Sequence, residues 1–261
     1  MSPRANAHVE AKGAAPSESA HAKAAPVPTP ASNAPADSAL AEPRPAGPYP
    51  FQLVPARPNP KEATAGRHAN LSMEQCRKAL RERKLPAEPT KALRGIATPL
   101  RLTGPIHGVR FVSPGKRSVY GALDCRLVLA LAELARVLAE LDVVEVYVDN
   151  LYRPNARLPG KKKKRSQHAY GLAADIMGFK LADGRVLDVE RDFHGTLGAP
   201  PCGPESPPAL LPSQSVLLRE IVCRIAREGV FHHLLTPNFD RAHKNHLHVD
   251  IKRDARGYFL R

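Results

Sequence analysis

SQHAYGLAADIMGFKLADGRVLDV, residues 166–189, decides the fold class. Asp183-Gly184 sits between the apolar runs IMGFKL and RVLDV, a pattern that predicts a β-hairpin. Strands joined so tightly are antiparallel, which argues against an all-parallel sheet. Helical patterns lie on both sides, so the reading is α+β. At the front of the stretch, Gly171 gives the backbone freedom before the first strand. A loop there can fold His168 back over Asp175. On a helix the same two residues, seven apart, would be separated by about 10.5 Å of rise.

Toward the N-terminus, LDCRLVLALAELARVLAELD repeats Leu127, Leu131, Leu134, Leu138 and Leu141 at three- and four-residue steps, the stripe of a core helix. VVEVYVD follows as a strand, with Val144, Val146 and Val148 alternating with Glu145 and Tyr147. It ends in the turn NLYRPN, which holds Arg153. Residues 160–165, including KKKKR, read as a solvated basic loop, with steering of an anionic polymer as a second role. Further upstream, PIHGVRFVSPG (105–115) reads as a strand. Ser72 with Gln75 three residues on is a capping-box spacing for a helix over 73–84, stopped by Pro86 and Pro89. Toward the C-terminus come the Pro-rich APPCGPESPP, an amphipathic helix SVLLREIVCRIAREG closed by Gly229, and the strand HLHVDIKR. His232 and His233 lie on a strand before it and point to opposite faces, with no catalytic role expected.

Composition bounds the rest. Thirteen of the 27 prolines fall in residues 1–60, mixed with Ala, Ser and Thr. Such a segment cannot bury enough apolar surface to offset its ordering entropy. Residues 1–68 therefore read as a disordered Pro/Ala-rich tail, and 69–261 as the folded domain. The tail holds five Lys/Arg against four Asp/Glu over residues 1–60, so nearly all of the net +14 belongs to the domain. That favours an anionic partner. With no Trp and only 5% aromatic residues, platforms for stacking single-stranded bases are sparse, and nucleic acid is not the expected partner. No run of about 18 apolar residues exists to span a membrane. Residues 1–20 show no apolar stretch of the kind a secretory signal needs. The four cysteines contain no CxxC pair, which leaves two disulfides or buried thiols. Cys76–Cys125 with Cys202–Cys223 is the pairing chosen from the three available.

The chemistry lies in the histidines. In a strand, residues two apart face the same side, so His246 and His248 of HLH can address one site, one as ligand and the other as proton carrier. His243 lies in the loop feeding that strand and can turn toward the same place. His168, Asp175 and His248 make a three-ligand metal set of the kind that leaves a fourth position open. HLH alone is more often a pair of ordinary strand residues; HxxxxxxD and HxH in one domain are specific together.

SQHAYGLAAD resembles the SxHxxGxAxD signature of the zinc D-Ala-D-Ala peptidases, and HLH resembles their closing HxH. The wider runs SQHAYGLAADIMGFKLADG and AHKNHLHVDIK are most similar to the extensin-like C-terminal domain family, over roughly residues 70–255. That resemblance implies the hedgehog/DD-peptidase fold, shared with the murein endopeptidases. It implies zinc ligands at His168, Asp175 and His248, and a catalytic or transition-state-stabilising histidine at His246. Arg153 matches the arginine that contacts substrate carbonyl or carboxylate in many such peptidases; a surface arginine is the plain alternative. Two departures stand out. His243 occupies the place of the general-base glutamate, a pattern similar to that of the murein endopeptidases. Asn245 stands where relatives often have Asp.

The expected function is zinc-dependent hydrolysis of peptidoglycan peptides, as endopeptidase or DD-carboxypeptidase, in the periplasm or cell envelope. A non-catalytic wall-binding module is the first rival, and a basic nucleic-acid-binding protein the second.

Overall fold

A computed structural model describes residues 50–53, 63–112, 119–158, 160–206 and 211–261. It is a mixed α+β chain with three sheets and, among the described residues, six α-helices. The helices are α1 (Pro50–Leu53), α2 (Thr64–Ala69), α3 (Met73–Glu82), α4 (Cys125–Ala139), α5 (Val189–Asp192) and α6 (Ser213–Arg227). The strands are β1 (Ala87–Pro89), β2 (Pro99–Leu102), β3 (Arg110–Val112), β4 (Leu123–Asp124), β5 (Val143–Val148) and β6 (Arg157–Leu158). After them come β7 (Lys161–Arg165), β8 (Ala173–Leu181), β9 (Val186–Asp188), β10 (His233–Leu235), β11 (Leu247–Asp250) and β12 (Phe259–Leu260). No described helix is long and apolar enough to cross a membrane.

The main sheet runs β12-β10-β11-β8-β5-β3, with β9 also paired to β8. Its pairs are antiparallel except β3 with β5 and β10 with β12. The expected hairpin joins β8 to β9, with Gly184 at φ 90° in the turn. β8 is central and almost wholly buried, so Asp175 is a carboxylate inside a mostly apolar strand whose other charged residue, Lys180, is only partly buried. β5 departs from plain alternation. A bulge between Val143 and Glu145 shifts its phase, so Val143, Val146 and Val148 are buried and Val144 is not.

α4 packs against β5, α2, α3 and α6. It buries Val128, Leu129, Ala130 and Ala132 as well as Leu127, Leu131, Leu134 and Leu138, leaving a narrow polar edge at Arg126, Glu133 and Arg136. Leu141 of the predicted stripe lies just beyond its end. α3 opens at Ser72 with the expected capping box, both reciprocal bonds to Gln75 being made. Disulfides join Cys76 on α3 to Cys125 at the start of α4, and Cys202 to Cys223 on α6. Closing these loops, 49 and 21 residues apart in sequence, restricts the unfolded chain most.

Three expectations change. The fold begins before residue 69: Phe51 of α1 is fully buried against the Arg219 guanidinium, and Gln52 donates to the Ser206 carbonyl. Ala65 and Ala69 of α2 present small side chains one turn apart to α4, which allows close approach. The remainder of the assigned tail, residues 1–49 and 54–62, lies outside the described residues. The basic loop is instead the strand β7, paired with β6 as a separate two-stranded ribbon. Backbone pairing needs no apolar face when both sides carry long charged stems, and Gly160 at φ 68° serves the turn. The strand expected over 105–115 is confined to Arg110–Val112. His107 and Gly108, at φ 48° and 81°, form a tight turn closed by Ile106 and Val109. Residues 113–118 lie outside the described residues.

Candidate metal centre

Ser166 and Gly171 shape the approach to the site. Between them, Gln167–Tyr170 makes one turn of 3-10 helix rather than an irregular loop. The Ser166 hydroxyl accepts from the His168 amide, and Gly171, at φ 63° and ψ 29°, reverses the chain. A Cβ at Gly171 would stand 2.8 Å from Ile96 Cδ1 and 2.9 Å from the Asp124 nitrogen, so the position needs glycine for space as well as conformation. This turn delivers the fully buried His168 ring onto β8. Asp175 and His248 reach the same point by register: they are directly paired across β8 and β11.

The three groups meet closely. His168 Nε2 lies 3.0 Å from Asp175 Oδ1 and 3.2 Å from His248 Nδ1, and His248 Nδ1 lies 2.9 Å from Asp175 Oδ1. Three donor atoms held at about 2.0–2.1 Å in a tetrahedral zinc shell would be about 3.3 Å apart. The observed triangle is slightly tighter than that. Two imidazole nitrogens and a carboxylate oxygen are also the right donor types, so the residues fit a divalent metal ion.

Electrostatics point the same way. Burial alone would raise Asp175, but His168 and His248 hold it well below the usual carboxylate range. Burial pushes His168 down, against the pull of Asp175. His248 goes the other way. Burial is outweighed by its bonds to Asp175 and Asp250, and its pKa rises to about 9. Without a metal, a proton on His248 supplies the positive charge that the two carboxylates require.

Asp250 is the supporting carboxylate. It lies two residues after His248 on the same face of β11, and its Oδ2 is 3.3 Å from His248 Nε2. His233, paired with Asp250 across β10 and β11, donates to its other oxygen at 2.6 Å. Burial would raise Asp250, but His233 and His248 bring it to about 2, so it stays ionised. With Nε2–H held by Asp250, the Nδ1 lone pair of His248 faces the triangle. His168 lacks such support, since its Nδ1 is buried with no partner among the described residues. Asp250→Asn is therefore expected to weaken zinc affinity about 10–100-fold, measured by chelator competition. Unchanged affinity would remove Asp250 from the design.

Two further histidines border the triangle. His246 Nε2 is 3.6 Å from Asp175 Oδ1, and its Nδ1 is 2.9 Å from Asn245 Oδ1. Asn245 thus orients His246 through a neutral acceptor. Burial, opposed by Asp175, lowers His246 to about 4. His243 closes a 3-10 turn capped by Asp240, whose Oδ1 accepts from the Ala242 and His243 amides. The same oxygen receives His243 Nδ1 at 2.7 Å. The His243 ring lies 5.1 Å from His246 and 5.9 Å from His248, centre to centre, and Phe239 packs edge-on against it. Arg153, 46% exposed, reaches to 3.6 Å from Asp175 Oδ2, while its amide bonds the His168 carbonyl. All six residues expected at the site come together.

The family comparison bears directly on these residues. Residues 74–260 match the family described as Extensin-like protein C-terminus, a span containing all six. The chain belongs to that family. A search of curated proteins and a search of solved structures found no match.

Sequence reasoning about this extensin-like domain missed four participants. Asp250 and His233 support His248, Asp240 supports His243, and Asp149 sits behind Asp175. The Asp149 amide bonds the Asp175 carbonyl, and burial together with the Asp175 charge raises its pKa. One signal was available for Asp250: HLHVD places a carboxylate two residues after the second histidine, on the same strand face. His232, the neighbour of His233, points elsewhere. It is buried, stacks on Tyr258, and accepts from the Lys252 amide.

Proposed function

We propose that this extensin-like domain is a zinc hydrolase of the D-Ala-D-Ala peptidase superfamily, cleaving peptide bonds in peptidoglycan. The observation that carries the reading is the His168–Asp175–His248 triangle with the Asp240-held His243 beside it. Zinc bound there would polarise the scissile carbonyl and lower the pKa of water to about 7. The protein's own groups do the remainder. His168, Asp175 and His248 hold the ion, with Asp250 fixing the His248 tautomer. His243 takes a proton from the attacking water and returns it to the leaving amine, while Asp240 stabilises the intervening imidazolium. His246, neutral at working pH, stabilises the reacting centre as a neutral imidazole. Arg153 presents a planar, permanently charged fork to a substrate carbonyl or carboxylate.

Two disulfides support an oxidising compartment such as the periplasm or envelope. The basic β6–β7 ribbon leads straight into Ser166 and suits an anionic wall polymer, drawing it toward the site. The test is to load the full chain with zinc, incubate it with purified peptidoglycan, and analyse the digest by mass spectrometry. New muropeptides are expected. One zinc per chain with binding and no cleavage would instead make the domain a wall-binding module.

A further inference from the structure

A groove of about 560 Å³ runs between α3 and the β1–β2–β4 sheet, and shares no residue with the metal centre. Its rim carries Arg77, Arg81 and Lys84, all exposed, and no acidic side chain lines it. Neighbouring cations are matched differently: Lys78 pairs with Glu82 at 3.6 Å and Arg83 with Glu133 at 2.8 Å. Among the described residues, none of the three rim cations has a carboxylate partner. The floor is apolar, with Leu80 and Leu100 buried beneath it. Thr98, only 4% exposed, also lines the groove, and its hydroxyl has no hydrogen-bond partner among the described residues.

We propose that this groove binds an extended acidic peptide as an anchoring site separate from the metal centre. Arg77 and Arg81 lie one helical turn apart, about 6 Å along α3. In an extended chain, side chains on one edge recur about every 7 Å. An acid at every second position therefore meets successive cations, and small apolar side chains between them meet the leucine floor. A nucleic-acid strand fits less well, because no aromatic side chain lines the groove to stack a base. The inference holds whether or not the metal centre hydrolyses peptides.

The test titrates the full chain into a fluorescein-labelled (Ala-Glu)5 peptide and follows anisotropy at two salt concentrations. Salt-sensitive binding is expected. The double variant Arg77→Gln/Arg81→Gln, altered only at exposed positions, should bind at least about tenfold more weakly. His168→Ala should bind as wild type does, which separates this site from the metal centre. Equal affinity in the double variant would overturn the proposal, as would loss of binding in His168→Ala. A labelled dT10 that binds more tightly than the peptide and is lost in the same double variant would assign the groove to nucleic acid and overturn it too.

Discussion

His168→Ala is expected to abolish metal uptake, with zinc per chain after dialysis falling from one to none by atomic emission. On the proposed function, hydrolysis of peptidoglycan peptides should also fall at least about a thousandfold, since a bound metal would no longer polarise the carbonyl. His168 is fully buried, so the alanine variant also leaves a cavity. His168→Gln keeps most of the volume and should fold like wild type while still failing to hold zinc. Full zinc content in both variants would sink the metal centre. The wild-type affinity should depend on pH in a defined direction. In the metal-free protein His248 holds its proton up to about pH 9, and that proton must leave before Nδ1 can act as a ligand. Affinity should therefore climb by about tenfold per pH unit between pH 6.5 and 9 and then level off. For the metal-free protein the sign is opposite. The stabilisation from charged His248 is complete below its ordinary pKa of 6.5 and is lost as pH rises through about 9. Added zinc should thus raise the melting temperature most at alkaline pH.

Among local signals the distinctive patterns match the structure, whereas the strand expected over 105–115 shrinks to Arg110–Val112. The α4 leucine spacing, the Ser72–Gln75 cap and the Asp183-Gly184 turn each carry their information within a few residues. Two of the candidate ligands, His168 and Asp175, are also local, since Ser166 and Gly171 bracket the turn that carries His168 and leads into β8. What was missed depends on pairing between distant segments. His233 reaches Asp250 only because β10 and β11 pair in that register, and a His-His step in a short strand announces nothing of it. Likewise Phe51 looks like one aromatic in a proline-rich stretch until α6 brings Arg219 over it. The β6–β7 ribbon was hidden for another reason: strand formation there depends on backbone pairing without an apolar face, which a hydrophobic pattern cannot reveal. The metal centre was more legible than its supports because ligands must be particular residue types. A supporting carboxylate can come from any strand that passes nearby.

Replacing His243 should separate the proton carrier from the metal. His243→Gln is expected to keep one zinc per chain and lower kcat by about 10²–10⁴-fold, the usual contribution of a general base. Asp240 explains why the role falls to His243 rather than to His246. Its carboxylate receives His243 Nδ1–H at 2.7 Å and stabilises the imidazolium that forms when Nε2 takes a proton. His246 is offered only the neutral Asn245 oxygen, and burial holds it near 4, too weak a base to take a proton from water at neutral pH. The two assignments predict different variant effects. With His243 as base, His243→Gln carries the loss of kcat and His246→Gln costs less. Asp240→Asn should lower kcat without releasing zinc, because a neutral partner stabilises the developing imidazolium less. It should also cost less than His243→Gln, since the base itself remains. With His246 as base, activity would survive in His243→Gln, and His246→Gln would be the variant that loses it. Asp240→Asn decides the matter most cleanly: the only described side chain its carboxylate bonds is His243, so a fall in kcat at full zinc content points to His243 as the base.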